Sequence, residues 1–71
     1  MNVEDYYEGD LLESNGVKML ILKKWKNRDF IALTDNNSNP ERYSSVDIRN
    51  YKKISKVPIE PLNLLKKALR V

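Results

Sequence analysis

The chain contains neither cysteine nor histidine. Disulfides and thiolate metal sites are therefore excluded, the usual zinc ligand sets have no members, and Cys-His or Ser-His nucleophilic catalysis has no base. No apolar run approaches the roughly 18 residues that a membrane span requires. Acids stand at the N-terminus where a signal peptide would carry basic residues, so a soluble cytoplasmic protein is expected. At 71 residues the chain is one small domain, of a size that buries only about 60% of the surface its unfolded form exposes. A roomy enzyme pocket is not expected. Asp10, Glu13, Asp29, Asp35 and Asp47 are possible carboxylates, but their spacing fixes no acid–base pair across a cleft. Asp35 and the asparagines after it lack the ligand spacing and glycine of a calcium loop. The expectation is a protein that is not an enzyme and uses no cofactor or metal.

Lysine and arginine are absent from residues 1–13, which carry Glu4, Asp5, Glu8, Asp10 and Glu13. All 13 basic side chains and the other five acids fall in residues 14–71, so an acidic head precedes a basic body with an excess of eight positive charges, although the whole chain is only +3. This asymmetry points to a polyanionic partner, with the acidic head able to compete for the same surface. The plain alternative is that both charge types keep a small protein soluble.

The chain is organised around residues 16–35, read as two strands joined at Asn27. Val17, Met19, Ile21 and Trp25 form one face of the first, while Leu20 and Leu22 make the other face apolar too, which fits a central strand that bends. Phe30, Ala32 and Thr34 alternate with Ile31 and Leu33 in its partner. The turn at Lys26–Asp29 has no glycine. Upstream, Asp10–Ser14 reads as a first strand, and Asn15-Gly16 is a two-residue hairpin signal because both positions need positive φ. Asn2 and Asp5 suit a single helical turn held by Val3, Tyr6 and Tyr7. Downstream, Asp35–Pro40 reads as a loop and Glu41–Ser44 as a short strand. Ser44, with Asp47 three residues on, predicts a capped helical turn, followed by an extended run over Tyr51–Ser55 anchored by Val46, Ile48 and Ile54. A single helix over 45–56 is the competing reading. Pro61 sits where a C-terminal helix would begin, running to about Arg70, with Leu62, Leu65 and Leu69 as one stripe beside Ala68, and Lys66, Lys67 and Arg70 as a basic stripe. Those leucines either cover an open end of the barrel or serve self-association and docking.

Five short strands in meander order, the Gly9-Asp10-Leu11-Leu12 opening, and the Ser45-Val46-Asp47-Ile48-Arg49-Asn50-Tyr51 turn into a last strand resemble the SH3-like small barrels, over roughly residues 9–56. The resemblance implies a mainly β, five-stranded barrel, with residues 1–8 as an acidic segment and 57–71 as a Pro-bounded linker and helix. In composition the chain is also similar to the lysine- and asparagine-rich small proteins of phages and mobile elements. Members of the SH3-like group bind nucleic acid, proline-rich peptides or methylated side chains.

Two non-enzymatic functions are expected. The first is nucleic-acid binding, with Lys23, Lys24, Lys26 and Arg28 around the second hairpin and Arg49, Lys52, Lys53 and Lys56 along the closing strand neutralising phosphates, and Trp25 either stacking on bases or sitting in the core. The second is docking on a host or phage protein, through Glu4, Asp5, Tyr6 and Tyr7, whose acids would imitate a phosphate backbone, or through Leu62, Leu65 and Leu69. A monomer or a weak homodimer through the C-terminal helix is expected, with no membrane partner.

Overall fold

The computed structural model describes residues 6–71; the helical turn expected around Asn2, and Glu4 and Asp5, lie outside them. Five strands form one antiparallel sheet: β1 (Asp10–Ser14), β2 (Val17–Lys24), β3 (Phe30–Thr34), β4 (Asn37–Tyr43) and β5 (Lys52–Lys56), in the spatial order β4-β3-β2-β1-β5. A short helix, α1 (Ser45–Ile48), precedes β5, and a longer one, α2 (Ile59–Leu69), closes the chain. The fold is mainly β with a C-terminal helix. Its ladder is open, with β4 and β5 as the two edges. No helix among the described residues is long and apolar enough to cross a membrane.

The local signals hold where neighbouring residues carry them. Asn15 (φ 50) and Gly16 (φ 81) both take the left-handed conformation, and Ser14 pairs directly with Val17. Asn27, at φ 58, reverses the chain within a single 3-10 turn at Lys26–Arg28. Asparagine tolerates that conformation better than other side chains, but Arg28 beside it is left-handed too, at φ 65, without that advantage. Ser44 and Asp47 form a reciprocal capping box at α1, and the competing helix over 45–56 is absent because β5 pairs with β1 from Lys52 onward.

Two expected element boundaries are corrected. Asn37, Ser38, Asn39 and Pro40 are not loop: the turn is confined to Asp35–Asn36, and β4 starts at once. Among the described residues this strand pairs only with β3, and a register slip falls between Ala32 and Thr34. At an edge, proline's missing N–H leaves no ladder bond unmade. The helix starts at Ile59 rather than Pro61, which occupies its third position, still among the first four residues whose N–H groups have no partner within the helix.

The core lies on one side of the sheet, where Leu12, Met19, Ile21, Phe30 and Ala32 meet Tyr6 and Ile48, with Tyr43 and Tyr51 packed at its margin. Burying each of the large side chains contributes about 1.5–3 kcal/mol. Register slips between Leu11 and Leu12, and between Ile21 and Lys23, bend the central strands. The second explains why Ile21 and Leu22, adjacent in sequence, are both fully buried: where one strand gains a residue, strict alternation of faces is broken. Val46 and Ile54, expected as anchors, are 61% and 48% exposed; of the three only Ile48 reaches the core. A four-residue helix presents one side chain inward, and Ile54 sits at the slip in the β1–β5 pairing.

Candidate functional site

Tyr6 and Tyr7 are adjacent and have opposite fates. Tyr6 is fully buried, its ring 6.4 Å from that of Phe30, so it is core and not part of a docking face. Burial pushes its phenol above the ordinary value near 10, against a smaller lowering by Lys53, with Asp10 adding to the rise. Tyr7 is 51% exposed. Residues 7–10 form a tight turn in which the Asp10 N–H donates to the Tyr7 carbonyl (3.0 Å) and the Tyr7 N–H donates to Asp10 Oδ2 (2.7 Å). Gly9 takes φ +89, the third-position conformation of a type II turn. A Cβ there would lie 2.9 Å from the Val57 carbonyl oxygen, so the turn can pack against the β5–α2 connection only as glycine. The Asp10 side chain is 1% exposed, and it also pairs with Lys53 Nζ at 3.0 Å.

Around the Tyr7 ring that this turn carries, three ammonium groups gather: Lys24 at 4.2 Å from the centroid, Lys53 at 5.7 Å and Lys56 at 6.0 Å. Lys53 and Lys56 are an odd number of residues apart and would face opposite sides of a regular strand. The slip opposite Leu11 and Leu12 inserts the extra residue that lets both reach one ring. Beside them Lys23 Nζ lies 4.6 Å from the centroid of Trp25, which is 40% exposed and so belongs to the surface rather than the core. Each such contact at an exposed site is worth about 0.5–1 kcal/mol.

These side chains line one groove of about 740 Å³: Tyr7, Trp25, Lys23, Lys24 and Lys56 on its sides, with Val57, Ile59, Leu62 and Glu8 completing the lining. That volume lies within the usual range for small-ligand sites, roughly 300–1,000 Å³. Glu8 is held by Lys66 of α2 (2.7 Å). Cations, π faces and apolar wall in one concavity suit an anionic ligand with a planar, partly apolar body.

The basic residues named from the sequence divide into groups. Lys23, Lys24 and Lys56 come together with Trp25 at the groove, while Lys53 reaches the Tyr7 ring and Asp10 without lining it. Lys26 and Arg28 are exposed on the adjoining turn outside its lining. Lys52 pairs with Glu13 at the far end of β1 and lines a separate small hollow with Asn15 and Asn50; Arg49 is exposed at the end of α1. Of the helix leucines, Leu62 is buried at the groove wall and Leu65 and Leu69 are half-buried, so little of that stripe is presented for docking. The carboxylates serve local roles: Asp29 accepts from Arg42 Nε, Asp47 caps α1 and Asp10 orders the turn. No cluster of three or more metal-ligating side chains occurs among the described residues. What sequence reasoning missed is Tyr7 as the centre of the lysine group. Its signal was the Tyr7-Glu8-Gly9-Asp10 turn itself, with glycine third and an Asx acceptor fourth.

No protein-family model, curated protein or solved structure matches the chain.

Proposed function

We propose that this chain is a non-enzymatic binding module that holds single-stranded nucleic acid in the groove between Tyr7 and Trp25. The observation that carries the reading is the gathering of Lys24, Lys53 and Lys56 around one exposed aromatic ring, with Lys23 and Trp25 beside them. Lysines neutralise phosphates and release counterions, while aromatic faces accept unpaired bases with little regard to sequence. A concave site favours a flexible single strand, because a duplex keeps its base faces stacked and out of reach. The meander order with β1 beside β5, and the single helical turn before β5, support an SH3-like small-barrel reading of the scaffold. Together with the lysine- and asparagine-rich composition, they support an accessory protein of phage or mobile-element type.

Fluorescence anisotropy with a labelled oligothymidine and a labelled duplex, each at two salt concentrations, tests the proposal. The single strand should bind more tightly, and its affinity should fall with salt by a logarithmic slope of about −0.7 per phosphate neutralised. Failure of both ligands to bind at low salt would remove the reading. A protein-docking function is the second reading, favoured by the exposure of Val46, Ile54, Ile59 and Leu64. Affinity purification that recovers a stoichiometric protein, and no nucleic acid, would support it instead.

A further inference from the structure

Among the described residues Glu8 is the one acid in the groove lining. Its Oε1 accepts from Lys66 Nζ at 2.7 Å, which fastens the carboxylate to α2 while leaving it about half exposed. A carboxylate has two oxygens and about four lone-pair sites, so this bond leaves it able to accept from a ligand. Glu8 also follows Tyr7 directly in the chain, in the turn that Asp10 holds. Among the described residues, one concavity therefore combines stacking faces, phosphate-neutralising ammonium groups and an acceptor-only side chain.

Resting on the reading of the groove as a single-strand site, we infer that it prefers guanine over the other bases. Guanine alone presents two adjacent donors, N1–H and N2–H, on its pairing edge, the fork that a carboxylate matches with two parallel hydrogen bonds. Adenine and cytosine set an amino donor beside a ring-nitrogen acceptor, and thymine sets one N–H between two carbonyls; each turns a lone pair toward the carboxylate. In an unpaired strand that edge is open to side chains. The base stacks on Tyr7 or Trp25, its donors meet Glu8, and the flanking phosphates meet Lys24 and Lys56.

The test compares a short oligothymidine with strands of the same length carrying one central guanosine, inosine or adenosine, by anisotropy, on the full chain and on Glu8→Gln. Inosine keeps N1–H and lacks the N2 amine. The guanosine strand should bind the wild type about tenfold more tightly than oligothymidine. Inosine should recover only part of that ratio and adenosine none, and in Glu8→Gln the ratio of guanosine strand to oligothymidine should fall toward one. A circular dichroism melt establishes that the variant is folded, and Glu8→Asp supplies a second carboxylate variant that retains some of the ratio. Equal binding of all strands by the wild type, or an unchanged ratio in folded Glu8→Gln, overturns the guanine preference and leaves the single-strand reading standing. Absence of oligothymidine binding at low salt removes both.

Discussion

The hydroxyl of Tyr6 donates a hydrogen bond to the backbone carbonyl of Tyr51, 45 residues further along the chain. It ties the segment entering β1 to the segment entering β5, the two strands that pair least locally in sequence. Tyr6→Phe keeps the ring but leaves that carbonyl short of a donor, and should cost about 1–2 kcal/mol in a urea melt. Tyr6→Ala removes the ring as well and should cost about 3–5 kcal/mol.

Alkaline pH gives a second check. Burial raises the phenols of Tyr6 and Tyr43 above the ordinary value near 10 in the folded chain. The folded state therefore holds protons that the unfolded state releases, so their contribution is fully present below pH 10 and is lost as pH rises through the elevated native values. Stability followed by circular dichroism should decline above pH 10, and less steeply in Tyr6→Phe.

The two glycines separate steric from conformational cost. Gly9 and Gly16 both take positive φ, but a Cβ on Gly9 meets a backbone carbonyl while one on Gly16 meets nothing within 4 Å. Gly16→Ala should cost about 1 kcal/mol and Gly9→Ala about 2–3 kcal/mol or more. Parallel urea titrations would read the difference as distinct midpoints; equal losses would contradict the close approach of the Gly9 turn to Val57.

Asp10 ties the Tyr7 turn to Lys53, and removing its carboxylate leaves the Tyr7 N–H and the Lys53 ammonium without this shared partner. Asp10→Ala should cost about 2 kcal/mol, less than for a wholly buried ion pair because Lys53 is partly in water. In a chain this small, a loss of that size lowers the melting temperature by about 8–16 °C.

Groove and non-groove lysines should differ in oligonucleotide binding. Lys24→Ala and Lys56→Ala should each weaken binding and flatten the salt slope by about one ion, while Trp25→Ala should weaken it by about 1–3 kcal/mol. Lys52→Ala, at the far end of β1, should change little. Anisotropy titrations over a salt series measure both quantities, and an effect of Lys52 equal to that of Lys24 would argue for a diffuse charge effect rather than a site.

Hairpins and caps were readable from the sequence because their hydrogen bonds close between near neighbours: Asn15-Gly16 dictates its turn, and Ser44 and Asp47 satisfy each other over one helical turn. Asn37–Pro40 was misread for the same reason. Its composition prefers a loop, and only its place at the sheet edge, where an unpaired N–H is not required, admits it as strand. The lysine group was half legible: Lys23, Lys24 and Trp25 are consecutive in sequence, whereas Lys53 and Lys56 join them through a slip in register that no residue pattern announces.

The sequence by itself determined the Asn15-Gly16 hairpin, the capped turn at Ser44 and the exclusion of thiolate and imidazole chemistry, since these follow from residue type and short-range bonding, whereas the pairing of β1 with β5 is a long-range contact. Tertiary structure alone decided that Tyr6 goes inward and Tyr7 outward, that Trp25 lies at the surface, and that Lys24, Lys53 and Lys56 share one ring. Burial is a property of packed faces, and a face is defined only after strands far apart in the chain have paired and bent.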